Sequence, residues 1–122
     1  MSILIDNVRE HDSSNAGDET VPPGISGSVW CHIASGAAPG EPAGTGSLAE
    51  LQAFLTDNLA AIGCDPSNIR TPQDTPPSRV TYAGLSQDQR AAAITAGAHP
   101  MRQTYIIGHV FDAQSPPTTY EP

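Results

Sequence analysis

Lysine is absent from this sequence of 122 residues, and basic charge of any kind is scarce. The five basic residues are all arginines, they are scattered along the chain, and with 13 acidic residues they give a formal net charge of −8. Proteins that bind nucleic acid neutralise phosphates with clustered lysine and arginine, and anionic membrane surfaces attract the same kind of cluster. We therefore expect neither nucleic acid nor a membrane among the direct partners.

Large apolar side chains are also scarce in this sequence. Hydrophobic residues make up 38% and aromatic residues 5% of the chain, whereas glycine (11) and proline (12) are frequent. No stretch approaches the roughly 20 apolar residues that a membrane-spanning helix needs, and Asp6 interrupts the apolar residues 3–5 too early for a signal peptide. The composition predicts a cytoplasmic product with a small core and extended arms.

Cysteine occurs only twice, and without the spacing of a metal site. Zinc sites show paired ligands such as Cys-x-x-Cys, and the loop at 36–46 lacks the phosphate-binding patterns GxGxxG and GxxxxGK[ST]. We therefore predict no metal and no cofactor. The candidate metal ligands, which no spacing supports, are Cys31, Cys64, His32, His99 and His109. A cytosolic product would keep both cysteines reduced, with a disulfide between them as the alternative.

The stretch at 47–63 has the strongest local signal and predicts a helix. Ser47 and Glu50 have the spacing of a capping box, and Gly63 supplies the stop. Five apolar residues recur at spacings of three and four, which places them on one face. These residues are Leu48, Leu51, Leu55, Leu59 and Ile62.

A second helix and four strands complete the pattern. Ser86 and Gln89 repeat the capping-box spacing at the start of a helix predicted at 86–97. Runs of β-branched, aromatic and alternating apolar residues predict four strands. They lie at 3–5, where the strand would be an edge, and at 28–35, 79–83 and 101–111. The sequence thus predicts an α/β (α+β) fold, with a small mixed sheet of three to four strands and two helices packed on one face.

The segments that flank this core carry no periodic pattern. Residues 6–26 hold acidic residues among Ser, Asn, Gly and Pro, and residues 112–122 are rich in Pro and Thr. Such segments bury too little apolar surface to offset the entropy of ordering. We predict an extended N-terminal arm at 1–26, a compact core domain at 27–111 and an extended tail at 112–122.

Two pairs of residues invite a catalytic interpretation, and neither is predicted to be catalytic. Cys31 and His32 are adjacent in a strand, so their side chains point to opposite faces and cannot pair easily. His109 and Asp112 could act together as a general base, with help from Tyr105 or Cys31, but no nucleophile elbow accompanies them. In the preferred interpretation Cys31 is a buried apolar residue, His32 lies at a surface or interface, and His109 lies on a sheet face.

Because no catalytic group of residues is predicted, we consider the apolar residues of the arms as candidates for contact with a neighbouring protein. Trp30 either packs beneath the arm as core or anchors an interface, where tryptophan is enriched. The small apolar residues of the arms could hold an extended segment on a neighbour. The predicted interface residues are Ile3, Ile5, Val8, Val21, Trp30 and Tyr120.

These features favour a non-enzymatic structural subunit of a large assembly, bound to copies of itself and to neighbouring structural proteins. By size and composition the first candidates are bacteriophage virion proteins of the capsid-decoration, head–tail-joining or tail-terminator type. Two alternatives stay open: a small cytosolic enzyme that uses His109 and Asp112, and an acidic adaptor or inhibitor. In the preferred hypothesis, deleting residues 1–25 leaves a folded domain that no longer assembles.

Overall fold

A computed structural model describes residues 2–10, 25, 29–38, 40–41, 47–69 and 82–102. Its strands are β1 (Ser2–Ile5), β2 (Arg9–Glu10), β3 (Val29–Gly36), β4 (Tyr82–Leu85) and β5 (His99–Pro100). Its helices are α1 (Leu48–Asp57), α2 (Leu59–Ile62) and α3 (Gln87–Thr95), and a 3₁₀ turn spans Pro66–Asn68.

A mixed sheet four strands wide lies at the centre, in the order β4-β3-β1-β5. β3 pairs antiparallel with β1 on one edge and with β4 on the other, and β5 lies parallel to β1. After a three-residue link, β2 continues β1 along the same edge of β3. The predicted mixed α/β sheet is confirmed.

The strand predicted at 3–5 is central, not an edge. β1 has paired neighbours on both sides, and Ile3, Leu4 and Ile5 are 8%, 0% and 0% exposed. Three consecutive apolar residues are typical of a strand buried on both faces, and the shortness of the run concealed this. Residues 2–10 therefore pair with the core sheet instead of leaving it as an arm, which corrects the predicted role of this part of residues 1–26.

α1 begins at the predicted cap, and its apolar face is partly buried. Ser47 has extended backbone and its hydroxyl accepts the Glu50 N–H. Leu51 and Leu55 are fully buried, whereas Leu48 and Leu59 are 40% and 43% exposed. The two central leucines therefore hold α1 on the sheet. Within the described ranges, no helix is both long and apolar enough to cross a membrane.

The helix predicted over 47–63 is interrupted at Asn58. The backbone N–H and the side-chain amide of Asn58 both donate to the Phe54 carbonyl, and the Asn58 backbone leaves the helical region at φ −117° and ψ 22°. Asparagine competes for nearby backbone groups in this way. The chain resumes as the single turn of α2, and Gly63 ends that turn in the left-handed conformation at φ 79°.

α3 confirms the second predicted helix, since Ser86 and Gln89 form a complete capping box. The strand predicted at 79–83 overlaps β4, which continues to Leu85, while residues 79–81 lie outside the described residues. β5 at His99–Pro100 was not predicted. Except for its first two residues, the strand predicted at 101–111 lies outside the described residues, as does the tail at 112–122.

The helices cover one face of the sheet, as predicted. Alternate residues of β1, β3 and β4 project toward them. The helix-side cluster consists of Ile3, Ile5, Cys31, Ile33, Leu51, Leu55, Ile62, Cys64, Ala83, Leu85, Ala93 and Ala98. Burying one Leu or Ile side chain contributes about 1.5–3 kcal/mol, so this cluster contributes strongly to the stability of the described part of the chain.

The opposite face of the central strands is buried as well. Leu4, Trp30 and Ala34 are each 0% exposed, and none of them belongs to the helix-side cluster. Strand alternation places His32 on the same face. A polar side chain in these surroundings needs a hydrogen-bond partner, and the sheet supplies one from the neighbouring strand.

Candidate functional site

A carboxylate and an imidazole are paired inside the sheet. Asp6 Oδ2 lies 2.7 Å from His32 Nδ1, and Asp6 Oδ1 accepts the backbone N–H of His32 at 2.6 Å. The two residues are only 1% and 2% exposed. Because both carboxylate oxygens are engaged, the pair avoids the desolvation cost of an unpartnered buried charge.

The pair lies where the regular ladder of β1 ends. The Asp6 N–H donates to the His32 carbonyl at 3.1 Å, as in a regular antiparallel pair. The return bond from the His32 N–H goes to the Asp6 side chain instead of the Asp6 carbonyl. That carbonyl accepts from Arg90 Nε at 2.7 Å, and Arg90 Nη2 donates to Asn7 Oδ1 at 2.9 Å. The guanidinium on α3 thus holds the end of β1.

Trp30 lies beside the imidazole. The Trp30 and His32 ring centroids are 4.9 Å apart and the ring planes meet at 67°, an edge-to-face arrangement. Trp30 is fully buried. Of the two alternatives for this tryptophan, core packing is the one observed in the chain.

The Asp6–His32 pair has the orientation of a catalytic histidine base and its carboxylate partner. The imidazole, however, is not accessible to a substrate. In Ser–His–Asp sites a buried carboxylate orients the imidazole through Nδ1. A catalytic imidazole must also reach the proton that it transfers, and His32 is 2% exposed. Cys31 lies on the other face in the helix-side cluster, as predicted from strand alternation. This geometry stabilises the sheet, and it places the Cys31 thiol on the face opposite the imidazole.

Neither cysteine has the environment of a nucleophile. Burial, and after it the negative charge of Asp6, raises the pKa of the Cys31 thiol to about 12. Burial, and after it the charge of Asp65, raises the pKa of the Cys64 thiol to about 11. Reactive cysteines show lowered pKa values. Both thiols are free, so each is a protonated, buried residue at neutral pH.

A second polar contact ties the start of α1 to β3. The Ser35 hydroxyl donates to Glu50 Oε1 and accepts the backbone N–H of Ser47 at 2.9 Å. The predicted capping box has Glu50 bonded directly to the Ser47 N–H, whereas here the Ser35 hydroxyl stands between them. Ser35 is fully buried. The first turn of α1 is therefore fixed by the strand as well as by its own cap.

No metal site is formed by the residues that the structure describes. Among them, no group of three His, Cys, Asp or Glu side chains could hold a metal ion. His99, one of the candidate ligands, is exposed at the start of β5. Cys31 and His32 project from opposite faces of β3 and cannot share an ion.

The predicted interface residues that the structure describes are turned toward the chain's own interior. Ile3, Ile5 and Trp30 are buried within the chain, so their side chains are not offered to a partner. Val8 is half-buried and packs against the helix-side cluster. Several further candidates lie outside the described residues, namely Val21, Tyr105, His109, Asp112 and Tyr120.

Asp6 and His32 differ in the structure from what the sequence predicts for them. The sequence predicts Asp6 in the extended arm at 1–26 and His32 at a surface or interface, whereas both are buried. One signal in the sequence could have indicated the burial of Asp6. Asp6 follows Leu4 by two residues, so in a continuing strand both side chains lie on the same face. Its partner lies 26 residues away, so local patterns could not identify the pair.

Comparison of the chain with protein-family models, with curated proteins and with solved structures finds no match. Its own residues are therefore the basis for any functional inference.

Proposed function

We propose that this chain is a non-enzymatic structural subunit of a large protein assembly. Its partners are further copies of itself and neighbouring structural proteins. Bacteriophage virions suit its size and composition best, in a capsid-decoration, head–tail-joining or tail-terminator role. The support for the virion setting is an analogy of size and composition, since the chain has 122 residues and is rich in glycine (11) and proline (12).

The observation that carries the proposal is that several ionisable side chains of the described residues are buried or bonded to one another, so they are not directed toward a substrate. Asp6 and His32 bond each other in the interior, and Glu50 bonds the buried Ser35. Both cysteines are buried with raised pKa values. Active sites instead gather ionisable groups in an accessible cleft, where their pKa values are matched to the chemistry. Groups that bond each other in this way stabilise a scaffold.

The burial of β1 changes where docking is proposed. Residues 2–5 contribute their side chains to this chain's own sheet, so they are not the docking arm. We assign docking to residues 11–28 and to the tail at 112–122, where Val21 and Tyr120 would act as apolar anchors. Segments of this composition bind through backbone hydrogen bonds with a few side chains in pockets.

The native mass of the protein purified from its source tests the proposal. A structural subunit is expected in a stoichiometric particle many times heavier than the 12.7 kDa chain. A monomer under physiological conditions would overturn the proposal. Binding to one partner at a 1:1 ratio, weakened strongly by salt, would favour the acidic adaptor instead.

Replacing His109 with alanine separates the proposal from the enzyme alternative. A structural subunit is expected to keep its incorporation into the particle and its biological activity, because no chemistry depends on this imidazole. Folding is checked by circular dichroism. Loss of activity in a folded His109→Ala chain that still incorporates would support the enzyme.

A further inference from the structure

The pairing of the N-terminal segment with β3 shifts by one residue between β1 and β2. In β1, Ile5 lies opposite Ile33. Continued without a break, that register would pair Arg9 with the first residue of β3, but Arg9 lies opposite Trp30. One extra residue is therefore accommodated in the link at 6–8, which makes this link a β-bulge.

The one-residue offset decides which side chains face the helices. Ile3 and Ile5 face the helix-side cluster, so an unbroken register would turn Arg9 toward that cluster and Val8 away from it. With the offset, Val8 packs against the cluster and Arg9 shares the opposite face with Trp30. A slip of one residue would exchange these two faces and bring a charged side chain toward apolar surroundings.

The polar contacts of Asp6 lie at the start of the offset. Its carboxylate takes the His32 N–H that its own carbonyl would accept in a regular ladder. The carbonyl that is released bonds Arg90, and the same guanidinium bonds the exposed Asn7. These bonds satisfy the His32 N–H and the Asp6 carbonyl, which do not bond each other at the offset.

We infer that Asp6 is a register lock: its carboxylate, held by the backbone and the imidazole of His32, fixes the offset that turns Val8 toward the core and Arg9 away. Replacing a buried polar pair with well-packed apolar residues of similar volume is often neutral or stabilising. Stability alone therefore does not explain such a pair. The best-attested benefit of such a pair is conformational specificity. Here the specificity concerns the register of β2 on β3.

Nuclear magnetic resonance of the Asp6→Ala chain tests the lock. Cross-strand backbone contacts between Arg9 and Trp30 report the offset, and those between Leu4 and Ala34 report the register of β1. In the variant we expect one of two results. Either the Arg9–Trp30 contact is lost, or a second set of cross-strand contacts appears in which Arg9 pairs with Val29. The β1 contact is expected to persist, because Ile3 and Ile5 still face the helix-side cluster.

Deletion of Asn7 provides the matched control. It removes the extra residue, so an unbroken ladder keeps Arg9 opposite Trp30 and leaves the Asp6 carbonyl to accept the His32 N–H. In this background, Asp6→Ala is expected to retain the Arg9–Trp30 contact. If Asp6→Ala retains that contact in the chain that keeps Asn7, the inference is wrong. It is equally wrong if Asp6→Ala loses the contact, or unfolds, in both backgrounds.

Discussion

At the scale of single residues, the two buried thiols set a pH dependence of stability. A cysteine has an ordinary pKa of 9.0, which the fold raises to about 12 for Cys31 and about 11 for Cys64. Above pH 9 the unfolded chain therefore releases protons that the folded chain retains. The stability that the thiols contribute is fully present below pH 9 and is lost as the pH rises toward the folded pKa values.

We accordingly expect the free energy of unfolding to fall above pH 9, by about 1.4 kcal/mol per pH unit for each proton released. Denaturant unfolding measured at several pH values checks this. The chain has no lysine, but its three tyrosines also ionise near pH 10. The Cys31→Ala/Cys64→Ala chain is the control, since it retains the tyrosines. An equal alkaline slope in both chains would show that the thiols are not the cause.

Ser35 should contribute more to stability than an ordinary exposed serine. Ser35→Ala removes a buried hydroxyl that bonds both Glu50 and the Ser47 N–H. Leaving buried polar groups without a partner costs about 1–3 kcal/mol. The matched control is Ser86→Ala, which removes the cap of α3 for about 1 kcal/mol. Urea unfolding measures both, and a smaller loss for Ser35→Ala than for Ser86→Ala would contradict the linking role.

Alternation along a strand was enough to predict which residues lie on which face. It placed Cys31 and His32 on opposite sides of β3 and gave Cys31 its buried role. It could not predict what His32 bonds, because the partner Asp6 is distant in sequence and lies in a polar stretch. The linking role of Ser35 could not be predicted for the same reason, because its partner Glu50 lies 15 residues further along the chain. Contacts between distant residues depend on how the elements pair, which local patterns do not specify.

At the scale of elements, α1 offers a direct test of which leucines hold it to the sheet. Leu51→Ala or Leu55→Ala should lower the free energy of unfolding by about 2–5 kcal/mol, because both side chains are fully buried. Leu48→Ala is the control on the same helix. Leu48 is 40% exposed, so its loss should cost about 0.5 kcal/mol. Thermal or urea unfolding that gives equal losses at all three positions would mean that α1 is not packed as described.

The elements with a strong local signal were predicted well. The capping residues Ser47 and Ser86 mark the starts of α1 and α3, and Gly63 ends α2. The interruption at Asn58 was not predicted, because a side chain that bonds its own helix backbone leaves the apolar spacing unchanged. β1 was identified as a strand but placed at an edge, since three residues show no alternation from which burial on both faces could be read.

At the scale of the molecule, the α/β class and the helices on one face followed from the order of the elements. The division into arm and core did not. Residues 6–26 show no periodic pattern and are mostly polar, so the sequence gives no boundary within them. The structure instead joins residues 2–10 to the sheet, through apolar packing in β1 and through polar bonds of Asp6. Composition alone cannot distinguish a solvated acidic residue from one that is buried and bonded.

The position of β1 reverses the expectation for a chain that lacks residues 1–25. This deletion removes Ile3, Leu4 and Ile5, whose burial contributes about 1.5–3 kcal/mol each. Together these terms approach the whole stability of a small domain, about 5–15 kcal/mol. It also leaves His32 without Asp6 inside the sheet. We now expect the truncated chain to be largely unfolded by circular dichroism and to lack a cooperative melting transition.

A loop replacement separates folding from assembly. Glu10 and Val29 lie opposite each other, so a hairpin loop of about four residues could replace residues 11–28 without moving β1 or β2. This chain should melt cooperatively, because it keeps the sheet and the Asp6–His32 pair. If residues 11–28 dock on a neighbour, it should be folded but incorporate poorly into the particle. Incorporation at the wild-type level would rule out docking through this segment, and a folded chain lacking residues 1–25 would show that β1 is dispensable.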